Sequence, residues 1–136
     1  RIRPQGDYVQ KSDHQILNKP ILLRRLNKES HINGTYEDQY GNVLRIAELT
    51  DGKLMFIFNV GNSRNFSELE GLIQLQGNSA LYEDDEFGSC VAKFTIEKNR
   101  ITVNSYQNNC GLASGLTLAG IYTQQNNQVP NFESYN

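Results

Sequence analysis

From Gly34 to Thr123 apolar and polar residues alternate in short runs, and most runs stop at a turn signal. Leu44 and Ile46 alternate with Val43 and Arg45. Beyond Asp51-Gly52, Leu54, Phe56, Phe58 and Val60 fall on one side, with Met55, Ile57 and Asn59 between them. A two-residue period is that of a strand with one face buried, and Asp-Gly between such runs is a strong hairpin signal. A run from Leu69 to Gln76 breaks at Gly77-Asn78 and resumes from Ser79 to Glu83. Cys90, Ala92, Phe94 and Ile96 then alternate with Val91, Lys93, Thr95 and Glu97. A tight Lys98-Asn99 turn leads to Ile101, Val103 and Ser105. A glycine-rich loop, 107–115, precedes a last run from Leu116 to Thr123.

About eight short strands joined mostly by tight turns predict an all-β antiparallel meander or barrel. Eight is also the count at which a closed barrel is filled by its own side chains. Gly34-Thr35-Tyr36 in the first strand is echoed by Gly120-Ile121-Tyr122 in the last, where glycine lets two edge strands approach and close the barrel. The inward set is bulky (Phe56, Phe58, Phe94, Ile96, Val103), which favours a filled interior over a lumen.

The pattern divides the chain into three parts: an N-terminal arm, 1–33; the barrel, 34–123; and a polar tail, 124–136, expected to fray. Residues 1–13 are polar, contain Pro4 and Gly6, and read as a loosely docked arm. Asn18 suits the cap of a short helix, with Pro20 in its first turn and Leu22, Leu23 and Leu26 on one side. A strand over 21–25 fits the same short apolar run nearly as well.

Composition narrows the partners. The 136 residues suit one domain, and 7 Tyr and 6 Phe exceed what disordered chains carry. With 13 basic against 15 acidic residues, net −2, the chain lacks the basic footprint that nucleic acid requires. Its only basic run, Arg24 and Arg25 with Lys19 and Lys28, is short. The longest strictly apolar run, Leu54–Phe58, is strand-sized and cannot span a bilayer as a helix. The chain opens at Arg1 without a methionine, as it would after removal of a signal peptide or after trimming.

Two cysteines, Cys90 and Cys110, lie early in one predicted strand and after the next. Joined, they tie a hairpin to the loop that follows it, contribute about 3 kcal/mol, and point to an extracellular, periplasmic or lumenal home. Two separate buried thiols are the competing reading. With only His14 and His31 to assist them, a four-ligand zinc site is not expected, and no other metal or cofactor is.

No catalytic constellation is visible. Neither histidine sits in a hydrolase signature, and Gly-x-Ser-x-Gly is absent. Glu83-Asp84-Asp85-Glu86, in the loop before Cys90, reads most simply as a solvated turn. Its richer readings are a calcium loop, for which the ligand spacing is missing, a catalytic acid pair, and an acidic contact for a basic partner. Gly111–Gly115 lacks the lysine and helix of a phosphate loop. Asn33-Gly34-Thr35 and Asn65-Phe66-Ser67 match the glycosylation triplet.

The stretch Gly77-Asn78-Ser79-Ala80-Leu81-Tyr82, followed by Cys90, Phe94, Cys110-Gly111, Gly120 and Tyr122, resembles small secreted bacterial β-barrel domains, among them the periplasmic inhibitors of C-type lysozyme. The resemblance covers roughly 34–123. It implies a non-enzymatic barrel that inserts a serine and a basic side chain into the acidic cleft of its target. Ser79 and Tyr82 match that motif, whereas Leu81 stands where Arg or Lys is expected. A related fold with another target, such as an immunity protein against a secreted toxin, fits equally.

The sequence therefore predicts a secreted or periplasmic module that binds a protein partner. The candidate contact residues are Ser79, Tyr82, Glu83, Asp84, Asp85, Glu86, Asn108, Asn109 and Ser114, with Cys90–Cys110 holding the two loops near each other. A rigid loop loses less entropy on binding, which suits an inhibitor. A structural envelope domain and a carrier of small apolar ligands are the alternatives.

Overall fold

The alternating run 53–61 becomes the central stave of a wall. In the computed structural model, which describes residues 18–132, β1 (Gly34–Glu37), β2 (Val43–Glu48), β3 (Lys53–Gly61), β4 (Phe66–Gln76), β5 (Ser79–Asp84), β6 (Cys90–Glu97), β7 (Arg100–Asn108) and β8 (Gly120–Asn126) follow a short helix, α1 (Lys19–Leu23). Each strand pairs antiparallel with the next, and β8 returns to β1, closing an eight-stranded barrel. The predicted turns hold. Gly52 (φ +85°) and Gly77 (φ +64°) take the left-handed conformation that glycine tolerates, and Asn99 (φ +62°) does so between β6 and β7.

Inside, Phe56 packs against Phe58, Tyr82 and Phe94 at ring separations of 5.2–5.5 Å, and Phe58 reaches Phe94 and Tyr122 at 5.6–5.7 Å. Edge-to-face and tilted pairs at such distances each add about 1 kcal/mol beyond simple burial. Gly71 makes room for this cluster, since a Cβ on it would lie 2.7 Å from Phe56 Cζ.

The two Gly-x-Tyr triplets do related work. The Tyr36 hydroxyl donates to the Ile32 carbonyl at 2.7 Å, and the Tyr122 hydroxyl donates to the Leu118 carbonyl at 2.9 Å. Each tyrosine thus pins the chain four residues upstream, fixing how the first and last strands enter the barrel. Gly34 brings β1 against β8, because any Cβ there would fall 2.0 Å from the Asn126 carbonyl oxygen. Gly120 instead leaves space for Tyr122 and Asp38.

β3 is buried on both faces from Leu54 to Phe58. Its outward residues Met55 and Ile57, with Ala47 and Leu49, are covered by Leu22 of α1 and by Phe132. The helix starts as predicted: Asn18 Oδ1 accepts the Ile21 amide at 3.4 Å, and Pro20 occupies the first turn. Only Leu22 and Leu26 turn toward the barrel. Leu23 is exposed because, one position after Leu22, it lies on the other side of the helix. Lys19 Nζ meets Glu70 on β4 at 2.9 Å.

Two tail expectations are corrected. Gln124–Asn126 belong to β8, and the chain then crosses the outer face to bury Phe132. Apolar burial and an Arg45 guanidinium donating to the Asn131 carbonyl at 3.1 Å hold this segment in place. The predicted last strand also begins too early, since Leu116 and Leu118 turn inward and stop one end of the barrel. The loosely docked arm 1–13, His14 and the final residues 133–136 lie outside the described residues.

Candidate protein-binding end

Alternating strand directions place the connections 38–42, 62–65, 85–89 and 109–119 at one end of the barrel. The disulfide lies there. Cys90 opens β6 opposite both Asp84 on β5 and Asn108 on β7, and bonds to Cys110 across a Cα separation of 4.9 Å. Cys90 and Cys110 are thus joined, which excludes the reading of two separate thiols.

Around the bridge the two loops interlock. Gly88 (φ +109°) lies so close to Asn109 that a Cβ would fall 2.9 Å from that side chain. The ring of Phe87 covers Gly111 (φ +78°), whose Cβ would lie 2.4 Å from the ring. The Asn109 amide donates to the Ser89 carbonyl at 3.0 Å, and the Ser89 hydroxyl donates to Gln107. Farther along, the Asn108 side chain donates to the Leu116 carbonyl at 3.1 Å. The Ala113 amide donates to Ser67 Oγ, and the Asn65 side chain to the Ser114 carbonyl, each at 2.8 Å. The 109–119 loop is therefore fastened to β4, to the 62–65 turn and to its own base. Leu116 and Leu118 are buried beneath it. Asn65, in one glycosylation triplet, is engaged in this clamp. Asn33, in the other, is fully buried, donating to the Asn27 carbonyl and accepting the Glu48 amide.

The expected contact residues do not form one surface. Glu83, Asp85, Asn108, Asn109 and Ser114 are exposed at or near the bridged end, Glu86 is half-buried, and Asp84 is mostly buried. Ser79 lies beside the Gly77-Asn78 turn, at the opposite end of β5. Tyr82 is 1% exposed and packs edge-on against Phe56 inside the barrel, so it is a core residue and not a contact residue. Strand parity explains both. Ala80 and Tyr82 share the inward face of β5, and Ser79 begins that strand whereas Glu83 and Asp84 end it.

The bridged end also carries apolar side chains that the sequence reading did not select. Tyr40 (77% exposed), Phe66 (67%), Tyr106 (59%) and Phe87 (52%) stand around this rim. Their signal is weak in sequence: each is a single aromatic among polar neighbours at a turn or strand end. Tyr40 borders a surface groove of about 670 Å³ shared with Glu37, Gln39, Ile121, Thr123 and Gln125. Among the described residues no three His, Cys, Asp or Glu side chains gather as a metal site, and no helix is long and apolar enough to cross a membrane. Comparison with protein families, with curated proteins and with solved structures finds no match.

Proposed function

We propose that this barrel is a secreted or periplasmic, non-enzymatic module that binds a protein partner through its bridged end, inhibiting a cell-wall hydrolase or neutralising a toxin. The observation that carries the reading is the locked pair of loops, 85–89 and 109–119. One disulfide, the Phe87–Gly111 contact and the Asn109–Ser89 hydrogen bond hold them, and exposed Phe87, Asp85 and Asn109 project from them. Loops fixed before binding lose little entropy on association. Aromatic side chains at a polar rim suit the centre of an interface. The disulfide favours an oxidising compartment. The lysozyme-inhibitor likeness supports the class of target, although Leu81 in place of a basic residue argues for a different cleft.

The alternative of a small-ligand carrier loses ground because five aromatic rings occupy the barrel interior. A structural envelope domain stays as the second reading. The test is capture from envelope and secreted extracts on the immobilised chain, with a Phe87→Ala, Asn109→Ala variant alongside. One stoichiometric hydrolase or toxin, retained by the wild type and lost by the variant, supports the proposal. Capture of nothing, or equal capture by both, transfers the weight to the structural reading.

A further inference from the structure

Among the described residues Tyr40 is the most exposed large apolar side chain, 77% open to solvent, yet the turn that carries it is tightly built. Asp38 Oδ1 accepts the Tyr40 and Asn42 amides, each at 2.9 Å, and Asp38 Oδ2 accepts the Asn42 side chain. Asn42 Oδ1 in turn accepts the Gly61 amide at 2.9 Å, tying the 38–42 turn to the end of β3. The neighbouring turn is equally fixed. Asn62 Oδ1 accepts the amides of Arg64 and Asn65, each at 2.8 Å, and Phe66 follows, 67% exposed. Two fixed turns thus hold up two rings that, among the described residues, pack on no other ring.

A groove of about 450 Å³ is lined by both rings together with Asn42, Asn59, Asn62 and Ser63. Tyr40 also borders the 670 Å³ groove, so it is common to the two. Their polar groups are neutral and unspent. Asn59 and Asn62 use their carbonyl oxygens on Arg45 and on the turn, which leaves both amide groups without a partner among the described residues. The side chains of Gln39, Ser63 and Thr123 make no hydrogen bond among those residues. No lysine, arginine or histidine lines either groove, and Glu37 and Asp38 line the larger one.

That combination selects a ligand class. A phosphate, sulfate or carboxylate finds no cation here and meets two carboxylates. An apolar ligand that covers the amides leaves them unpaired, at a cost of about 1–3 kcal/mol each. A sugar ring meets both demands. Its C–H face lies flat on an aromatic ring, while the hydroxyls around its edge exchange hydrogen bonds with amides. Turns fixed before binding lose little entropy when the ligand arrives.

We propose that the Tyr40–Phe66 face binds a neutral, β-1,4-linked polysaccharide, whose flat ribbon presents ring faces to the two aromatics and hydroxyls to Asn59, Asn62, Gln39 and Thr123. Phe87 and Asn109 line neither groove, so the site is separate from the protein-binding reading and does not rest on it.

The test is isothermal titration of the full chain with β-1,4-linked hexamers of glucose, mannose and N-acetylglucosamine, and with a galacturonic acid hexamer as the charged comparison. At least one neutral hexamer is expected to bind with a Kd of about 1 mM or tighter, and the acidic one to bind at least about tenfold more weakly. The neutral affinity is expected to be indifferent to salt. Tyr40→Ala is expected to weaken it about tenfold and Phe66→Ala about fivefold, whereas Tyr106→Ala, an exposed ring outside both grooves, leaves it unchanged. No binding of any neutral hexamer at roughly ten times that concentration overturns the inference. Equal binding by wild type and Tyr40→Ala does so too. So does loss of a captured protein on Tyr40→Ala with no sugar bound, which gives this face to a protein partner instead.

Discussion

Gly71 on β4 lies directly under the ring of Phe56 on β3, its paired neighbour, and is also close to Tyr82 of β5. A single added methyl group would sit 2.7 Å from Phe56 Cζ and 3.0 Å from Tyr82 Cε1. Both rings are wedged among other aromatics, so neither can move without displacing the centre of the barrel. Gly71→Ala is therefore expected to destabilise the protein by about 1–3 kcal/mol, the usual cost of overpacking. Urea denaturation of Gly71→Ala, Phe56→Leu and the double variant measures it. The double variant should lose less than the sum of the singles, because the smaller side chain relieves the clash.

Reducing the disulfide should loosen the bridged end and lower global stability. The closed segment spans 20 residues, for which chain entropy predicts a loss of about 3 kcal/mol. Cys90→Ser, Cys110→Ser denatured beside the wild type gives the value. An unchanged midpoint would mean that the Phe87–Gly111 contact and the backbone bonds suffice.

Phe132 covers the outward side of β3 although nearly all neighbouring tail residues are polar. Phe132→Ala is expected to cost about 3 kcal/mol and to raise binding of a hydrophobic dye, as Met55 and Ile57 become accessible. A stable variant with unchanged dye binding would show that α1 alone shields this face.

Alkaline pH should unfold the barrel through its two corner tyrosines. Burial raises the Tyr36 pKa to about 12; that of Tyr122 is raised too, by burial first and by the Asp38 carboxylate second. Tyrosine in an unfolded chain ionises near 10. Above that pH the unfolded chain releases protons that the folded chain retains. Stability is thus full below about pH 10 and is lost as the pH climbs toward the folded values. Tyr36→Phe and Tyr122→Phe should each cost about 1 kcal/mol at neutral pH through the lost hydrogen bond, while flattening the decline above pH 10. Chemical denaturation at intervals from pH 8 to 11.5 separates the two effects.

The wall of the barrel was readable because strand parity is local. Leu44 and Ile46, Leu54 to Val60, and Phe94 declare the inner face by spacing alone, and Gly52, Gly77 and Asn99 mark the reversals. The double burial of β3 was not readable. What covers Met55 and Ile57 is Leu22 and Phe132, which are distant in the chain and carry no period that ties them to a strand. The candidate site was legible in part. The cysteine positions tied the stretch around Ser79–Glu86 to that around Asn108–Ser114; the bridge does join the 85–89 and 109–119 connections, but Ser79 lies at the other end of the barrel. The likeness to an inhibitor motif, however, set Tyr82 at the surface, against the parity it shares with Ala80. The exposed ring of Tyr40 gave no signal, since one aromatic in a polar turn looks like any other surface residue.

The closure of β1 onto β8, from Thr35 to Asn126, has a consequence for the making of the molecule. The strand that completes the cylinder, β8, is the last of the eight to be made. Until it arrives, β1 presents a raw margin and the aromatic interior stays wet. Folding to the finished barrel therefore waits for β8 and is governed by the slow search that joins its distant halves. In that interval the early strands depend on dilution, or on a chaperone, to avoid pairing with a neighbouring chain.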